Sequence, residues 1–286
     1  MENEFRVSPG KSLFLFVCWW VLCTIIGSLL IRLIGTETAG SLRCAIVIQD
    51  IFVFILPVIL TMIIVAVKPQ RVIGIDVKAG VRLLLLITLV ALVSVPAMNN
   101  LVAWNESIHL PESMSGLETA LRNSEDAARA TVEAIMQGTT VGDLILSVLI
   151  MGVLTGLAEE LFFRGGLQPL LAGMMRNRHA AIWATAVIFS AVHLQFFGFF
   201  PRLLMGAFFG HLVVWTGSIW SSVFAHALNN SLVVLSYWLV SRGSVSTDVN
   251  TLFTGASFID IIVVIASVAA TAALIWYISR ISCDRT

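Results

Sequence analysis

Charge is what this 286-residue chain has least of: 12% of its residues are charged and 58% are apolar, against about 25% and 45–50% in an ordinary soluble domain. A soluble fold of this length has too little charge here to cover its outside. The mean hydropathy of +0.95 says the same. What charge there is balances, 17 basic residues against 17 acidic. No basic stripe of the kind that neutralises phosphates exists, and nucleic acid is excluded as a partner. Cysteine is scarce as well. Cys18, Cys23, Cys44 and Cys283 form no CxxC pair and no Cys/His cluster, so neither a disulfide framework nor a structural zinc follows. Cys283 stands near the C-terminus, but Asp284 and Arg285 fill positions that a prenylation box keeps aliphatic. No internal repeat or low-complexity tract stands out.

What the chain has in quantity is long apolar runs. A helix needs about 20 apolar residues to cross a hydrocarbon core. About eight runs of that kind occur: Ser12–Ile34, Cys44–Val67, Leu83–Trp104, Asp143–Leu171, His179–Phe200, a short Arg202–Thr216, Ser218–Val240 and Phe258–Ile278. They are continuously apolar rather than alternating, which indicates helices and not a barrel. The expected fold is all-α, a polytopic transmembrane bundle forming one membrane domain over residues 1–286. The first run is longer than a signal-peptide core and lacks a small-x-small cleavage site, so it is read as a retained span.

Lys68, Arg71, Lys78 and Arg82 in one connection, and Arg176 and Arg178 in another, place both on the cytoplasmic side by the positive-inside rule. The N-terminus then lies inside. An integral, multi-pass protein of a bacterial inner membrane is the expected setting, with membrane lipid and a membrane-associated protein or peptide as partners. The oligomeric state is not legible. Residues 105–140 form the one long polar stretch, with six carboxylates against Arg122 and Arg129, and belong outside. Within it Gly116–Gln137 has apolar residues at near-helical spacing, which predicts a short surface helix.

Ionisable side chains inside a span cost about 2.5–3.5 kcal/mol each on insertion, so each calls for a partner or a function. Three runs hold them. Glu159, Glu160 and Arg164 form an EExxxR pattern; Glu160 and Arg164, at i and i+4, share a face, while Glu159 points about 100° away. His193 lies one turn after Phe189 in a pattern FxxxH, and His226 and Asn230 form HxxxN on one face of their run. Each has a bland reading: an interfacial charge cluster, a core histidine bonded to a carbonyl, interhelical glue. Counted from the cytoplasmic ends at about 1.5 Å per residue, all three motifs fall near the middle of the bilayer. They read as one polar site.

Such a set suits hydrolysis. A buried carboxylate, Glu159, can take a proton from water that a neutral imidazole, His193, helps to hold. His226 and Asn230 can donate hydrogen bonds to the developing oxyanion. No cofactor is required. Glu159, His193 and His226 could alternatively hold a divalent metal such as zinc, although the usual HExxH helix is missing. The metal question stays open at this stage.

The three motifs, in this order and inside apolar runs, resemble the CPBP family, which groups type II CAAX prenyl proteases with bacteriocin-processing and Abi-type immunity membrane proteins. The resemblance covers residues 142–240, read as the catalytic core, and includes the glycine-bearing segment Met205–Gly210 and the turn Thr216–Trp220. It implies an intramembrane endopeptidase in which Glu159 and His193 activate water and His226 and Asn230 stabilise the oxyanion, with Glu160 and Arg164 shaping the site and supporting Glu159. The substrate it implies is a membrane-associated protein or peptide, prenylated or otherwise. Two other classes stay in view. A non-catalytic immunity or scaffold protein would survive Glu159→Gln, and a proton-coupled transporter would show an inverted repeat, which is not seen.

Other polar positions are given quiet roles. Gln49, Asp50 and Asp260 are read as lying near span ends and reaching headgroups or water. Asn99 and Asn100 are read as partners for carbonyls freed by Pro96. Gly206 and Gly210 are read as packing residues. His109, His179 and His211 fit no motif, His211 being the least comfortable to set aside.

Overall fold

In a computed structural model of the chain, residues 4–136, 138–244, 253–255 and 257–283 are described. The side chain of Cys283, together with Asp284 and Arg285, on which the tail reading rests, lies outside that set, as does Gln137 at the end of the expected surface helix. Among the described residues there is no strand, only one isolated antiparallel bridge between Phe5 and Ala66. The all-α architecture follows from the uninterrupted apolar runs, since in lipid only a helix satisfies every backbone group within its own segment.

The main helices are α1 (Pro9–Ile34), α2 (Ala39–Val65), α3 (Val81–Val93), α4 (Val95–Glu106), α5 (Ser115–Ile135), α6 (Val141–Met175), α7 (Arg178–Ala191), α8 (Phe199–Thr216), α9 (Ile219–Ser241) and α10 (Phe258–Cys283). Local chemistry sets several ends. Pro9 opens α1, where its missing N–H is no loss. Thr38 and Ser41 close a capping box on α2, and the Asn177 side chain accepts from the N–H groups of His179 and Ala180 at the start of α7.

Among the described residues six helical segments are long and apolar enough to cross a membrane, and α3 with α4, bent by 49°, makes a seventh where the pair counts as one span. The bend falls at Pro96, which cannot donate to the helix ladder. Asn100 donates Nδ2 to Pro96 O at 2.9 Å, a carbonyl of its own helix and not the Leu92 carbonyl that the missing Pro96 N–H leaves free. Phe14, Leu33 and Phe258 are among many large apolar side chains turned outward. An apolar exterior of this extent belongs against lipid, and the chain is an integral, multi-pass membrane protein.

One expected span is divided. The run His179–Phe200 forms α7 only as far as Ala191, then a turn with Leu194 at φ 54, then a single 3₁₀ turn Phe196–Gly198 before α8. At about 1.5 Å per residue, 14 residues cover about 21 Å, short of a bilayer core. His193 therefore sits at the tip of an α7–α8 hairpin and not within a span.

The centre of the bundle is α6. Phe162, Phe163, Leu167 and Leu170 pack among Phe16 of α1, Val58 and Met62 of α2, Phe189 of α7 and Val223 of α9. Helix α9 approaches closely because Gly152 and Gly156 face it: a Cβ at Gly156 would come within 3.0 Å of Ala227 N. That approach brings Glu160 and His226 to one level.

Candidate active site

Helix α6 departs from ordinary α winding where the site begins. Val148–Leu154 and Leu161–Leu167 are wound as π-helix, as is Asp50–Ile55 in α2. The wider i→i+5 turn re-aims side chains and frees carbonyls, and is frequent at functional sites. Between the two π segments of α6 stand Glu159 and Glu160, both buried.

Glu160 is fully enclosed and its Oε1 accepts from two sides: from Arg164 Nη1 at 2.6 Å and from His226 Nδ1 at 2.9 Å. Arg164 also donates from Nη2 to Gly206 O at 2.7 Å. Gly206 is open to this because its lack of a Cβ lets α8 lie against α7, where a Cβ would meet Phe189 at 3.0 Å. A buried guanidinium held by a carboxylate and a carbonyl avoids most of the penalty of an unpaired charge. Glu160 is thus turned to Arg164 and His226 rather than to Glu159.

His226 is gripped on every side. Phe209 stacks on its ring at 5.0 Å with 24° between planes, and Phe189 meets it edge-on at 5.8 Å. With Nδ1–H donated to Glu160, its Nε2 faces Glu159 Oε2 at 3.7 Å. His193 is half-buried at the hairpin tip, and its Nδ1–H donates to Phe189 O at 2.7 Å. That bond fixes the tautomer and leaves Nε2 with a free lone pair. Phe189 therefore touches both histidines, its ring lying 5.1 Å from that of His193. Glu159 is close enough to His193 to act on it electrostatically. Asn230, one turn beyond His226, donates Nδ2 to Met151 O at 3.3 Å, a carbonyl in the first π segment of α6. One amide hydrogen of Asn230 remains for another acceptor.

Three participants went unseen in the sequence. Asp50 is fully buried in α2, accepting from the Thr155 hydroxyl at 2.9 Å and within electrostatic reach of Glu159. The reading that placed Gln49 and Asp50 near water at a span end fails because α2 begins at Ala39 and carries both well inside; the Gln49 side chain lies on the outer face of the helix and that of Asp50 faces the bundle. Arg202, whose Nη2 donates to Gln195 Oε1 at 2.5 Å, also acts electrostatically on Glu159 and His193. Phe209 was legible only as part of a glycine-bearing segment. His211, by contrast, lies apart from the site, with Nδ1 bonded to Ala207 O and its ring near those of His179 and Trp215. His109 bonds Glu118 in the polar connection.

Among the described residues no group of three or more His, Cys, Asp and Glu side chains is gathered as metal ligands would be. Glu159, His193 and His226 as they stand are not drawn together into such a group.

Residues 141–232 match the family model described as type II CAAX prenyl endopeptidase Rce1-like. The matched segment contains all six motif residues, from Glu159 to Asn230, and leaves α1 to α5 outside it. No curated protein and no solved structure matches the chain. The match agrees with the CPBP resemblance carried by the motifs and supports a membrane protease in general.

Proposed function

We propose that the protein is an intramembrane endopeptidase that cleaves a membrane-associated protein or peptide by attack of a water molecule activated by Glu159. The observation that carries this reading is the placement of the buried Glu159 carboxylate between two histidines whose tautomers are set by other bonds: His226 through Glu160 and His193 through Phe189 O. The free Nε2 of His193 accepts a hydrogen bond from the water while Glu159 takes its proton. The hydroxide attacks the peptide carbonyl, and Glu159 later passes the proton to the departing amine.

The negative charge that forms on the carbonyl oxygen needs donors. Asn230 offers its remaining amide hydrogen. His226 offers Nε2–H when both of its ring nitrogens carry hydrogen, with the Glu160 carboxylate at Nδ1 orienting the ring as the acid of a triad does. Glu160 and Arg164 act through His226 and are positioning residues. A substrate of CAAX type, carrying a lipid that delivers it to the membrane, fits the matched family, and an unprenylated leader or membrane segment is served by the same chemistry.

The test is N-terminal peptide profiling of membranes from cells expressing wild type, Glu159→Gln or His193→Ala at equal protein level. New N-termini found with wild type alone establish proteolysis and name the substrate. Identical profiles for wild type and Glu159→Gln would sink the reading and favour a scaffold or immunity role.

A further inference from the structure

Beside the buried Arg164 lies a cavity of about 730 Å³. It opens at the end of the bundle where the basic connections gather, and none of Glu159, His193 and His226 lines it. Its walls are built rather than incidental. The segment after α2 is pinned to the turn before α9 by Ile219 N–H to Gly74 O at 3.1 Å, by the Ser218 hydroxyl to Val77 O at 2.5 Å and by Trp220 Nε1–H to Ile75 O at 3.0 Å. The N-terminal segment is tied down by Arg6 N–H to Val65 O and Val67 N–H to Glu4 O.

Four cations line this space, Lys68, Arg71, Arg178 and, in the buried wall, Arg164, against two carboxylates, Glu4 and Asp76. Arg164 is paired with Glu160 and keeps an unpartnered Nε. Lys68, Arg71 and Arg178 are exposed. Among the described residues no carboxylate comes within 4.0 Å of any of the three, Glu4 and Asp76 included. Three unneutralised cations around a pocket at the helix ends suit a phosphate oxyanion, and at the headgroup level of a bilayer phosphate is the abundant anion.

We propose that this cavity is a binding site for a phosphate group, either that of a phospholipid headgroup or free phosphate, held by Lys68, Arg71 and Arg178. The site is separate from the water-activating cluster and does not depend on the proteolytic reading.

The experiment uses the full chain purified in detergent and measures dissociation constants by titration calorimetry for three probes: short-chain phosphatidylglycerol, the diacylglycerol with the same chains, and inorganic phosphate. Three proteins are compared: wild type, a cavity variant (Lys68→Gln, Arg71→Gln, Arg178→Gln), and a control (Lys11→Gln, Lys78→Gln, Arg176→Gln) that removes equal charge from outside the lining. Phosphatidylglycerol is expected to bind wild type and control within about twofold of each other and the cavity variant about tenfold or more weakly, with no binding of diacylglycerol. Inorganic phosphate binding as tightly as the lipid supports the site with free phosphate as its ligand. Equal binding by wild type and cavity variant, diacylglycerol binding as tightly as phosphatidylglycerol, or no binding of either phosphate would overturn it.

Discussion

The chain contains the same small device twice, a glutamate and an arginine at i and i+4 with a histidine on the glutamate, in two different settings. In the polar connection, Glu118 pairs with Arg122 at 2.8 Å and with His109 at 3.0 Å, and the arginine and histidine are open to water. Inside the bundle, Glu160 pairs with Arg164 at 2.6 Å and with His226 at 2.9 Å, and the side chains of Glu160 and Arg164 are 0% exposed. The residue types and the glutamate–arginine spacing are alike, and the two sets differ in where the histidine comes from and in their surroundings. Water screens the first set and competes for each bond, which makes it a local brace. Apolar side chains and aromatic rings enclose the second, where each partner depends on the others to avoid standing as an unpaired buried charge.

If that contrast holds, Arg164→Ala has the largest effect of any change to these pairs. It should destabilise the protein by about 3–5 kcal/mol, the usual consequence of removing one partner from a buried pair, and abolish cleavage, as read by thermal unfolding in detergent and by peptide profiling. Stability unchanged in Arg164→Ala would mean that water reaches Glu160 and that the two sets do not differ.

Glu159→Gln sharpens the comparison inside the buried set. Glu159 is not part of the Arg164–Glu160–His226 chain, so its loss should lower cleavage by about 10²–10⁴-fold with little change in the unfolding midpoint. A large loss of stability instead would make Glu159 a structural acid.

Gly156→Ala addresses how the buried set is assembled. The added Cβ meets the Ala227 backbone at 3.0–3.1 Å, so α9 must move by a few tenths of an ångström and carry His226 from Glu160. Cleavage should fall by about tenfold, with the fold retained. Gly152→Ala, whose Cβ comes too close to the movable Ser231 hydroxyl and meets the rest of Ser231 at ordinary contact distance, is the matched change that should be milder. Equal losses from the two would remove the close approach of α6 and α9 as the cause.

Glu118→Gln is the smallest effect and defines the exposed set. The Leu110 N–H first, then Arg122 and His109, hold the Glu118 carboxyl down at about 2. A depressed carboxylate contributes stability that is present above the ordinary glutamate value near 4.5 and is lost as pH falls from there toward about 2. Wild-type α5 should therefore loosen over that acid window, in hydrogen exchange of the Leu110 amide, while Glu118→Gln is already loose at neutral pH and cleaves as wild type does. A cleavage defect at neutral pH would tie the connection to the site. A route for such a tie exists, since Glu125 of α5 accepts from Phe197 N–H at 2.7 Å and Arg122 lies 3.9 Å over the Phe197 ring, next to the turn that carries His193.

Much of this arrangement could be read from residue order. The apolar runs dictate helices, because a chain in lipid has no other way to satisfy its backbone. The i, i+4 spacing of Glu160 and Arg164 dictates their pairing, and Pro96 dictates the bend between α3 and α4. These are local relations, fixed by neighbours within a turn or two of the same helix.

What stayed hidden depends on contacts between distant segments. Nothing near Asp50 in sequence says that it lies against Thr155 of α6, or that α7 stops at Ala191 so that His193 rides on a turn braced by α5. The stacking of Phe209 on His226 arises only when α8 and α9 pack together. Composition and spacing therefore determined a helical membrane bundle with three polar motifs. Tertiary packing alone decided which carboxylate orients His226 and which is left to face both histidines, because that choice rests on side chains brought together from different helices.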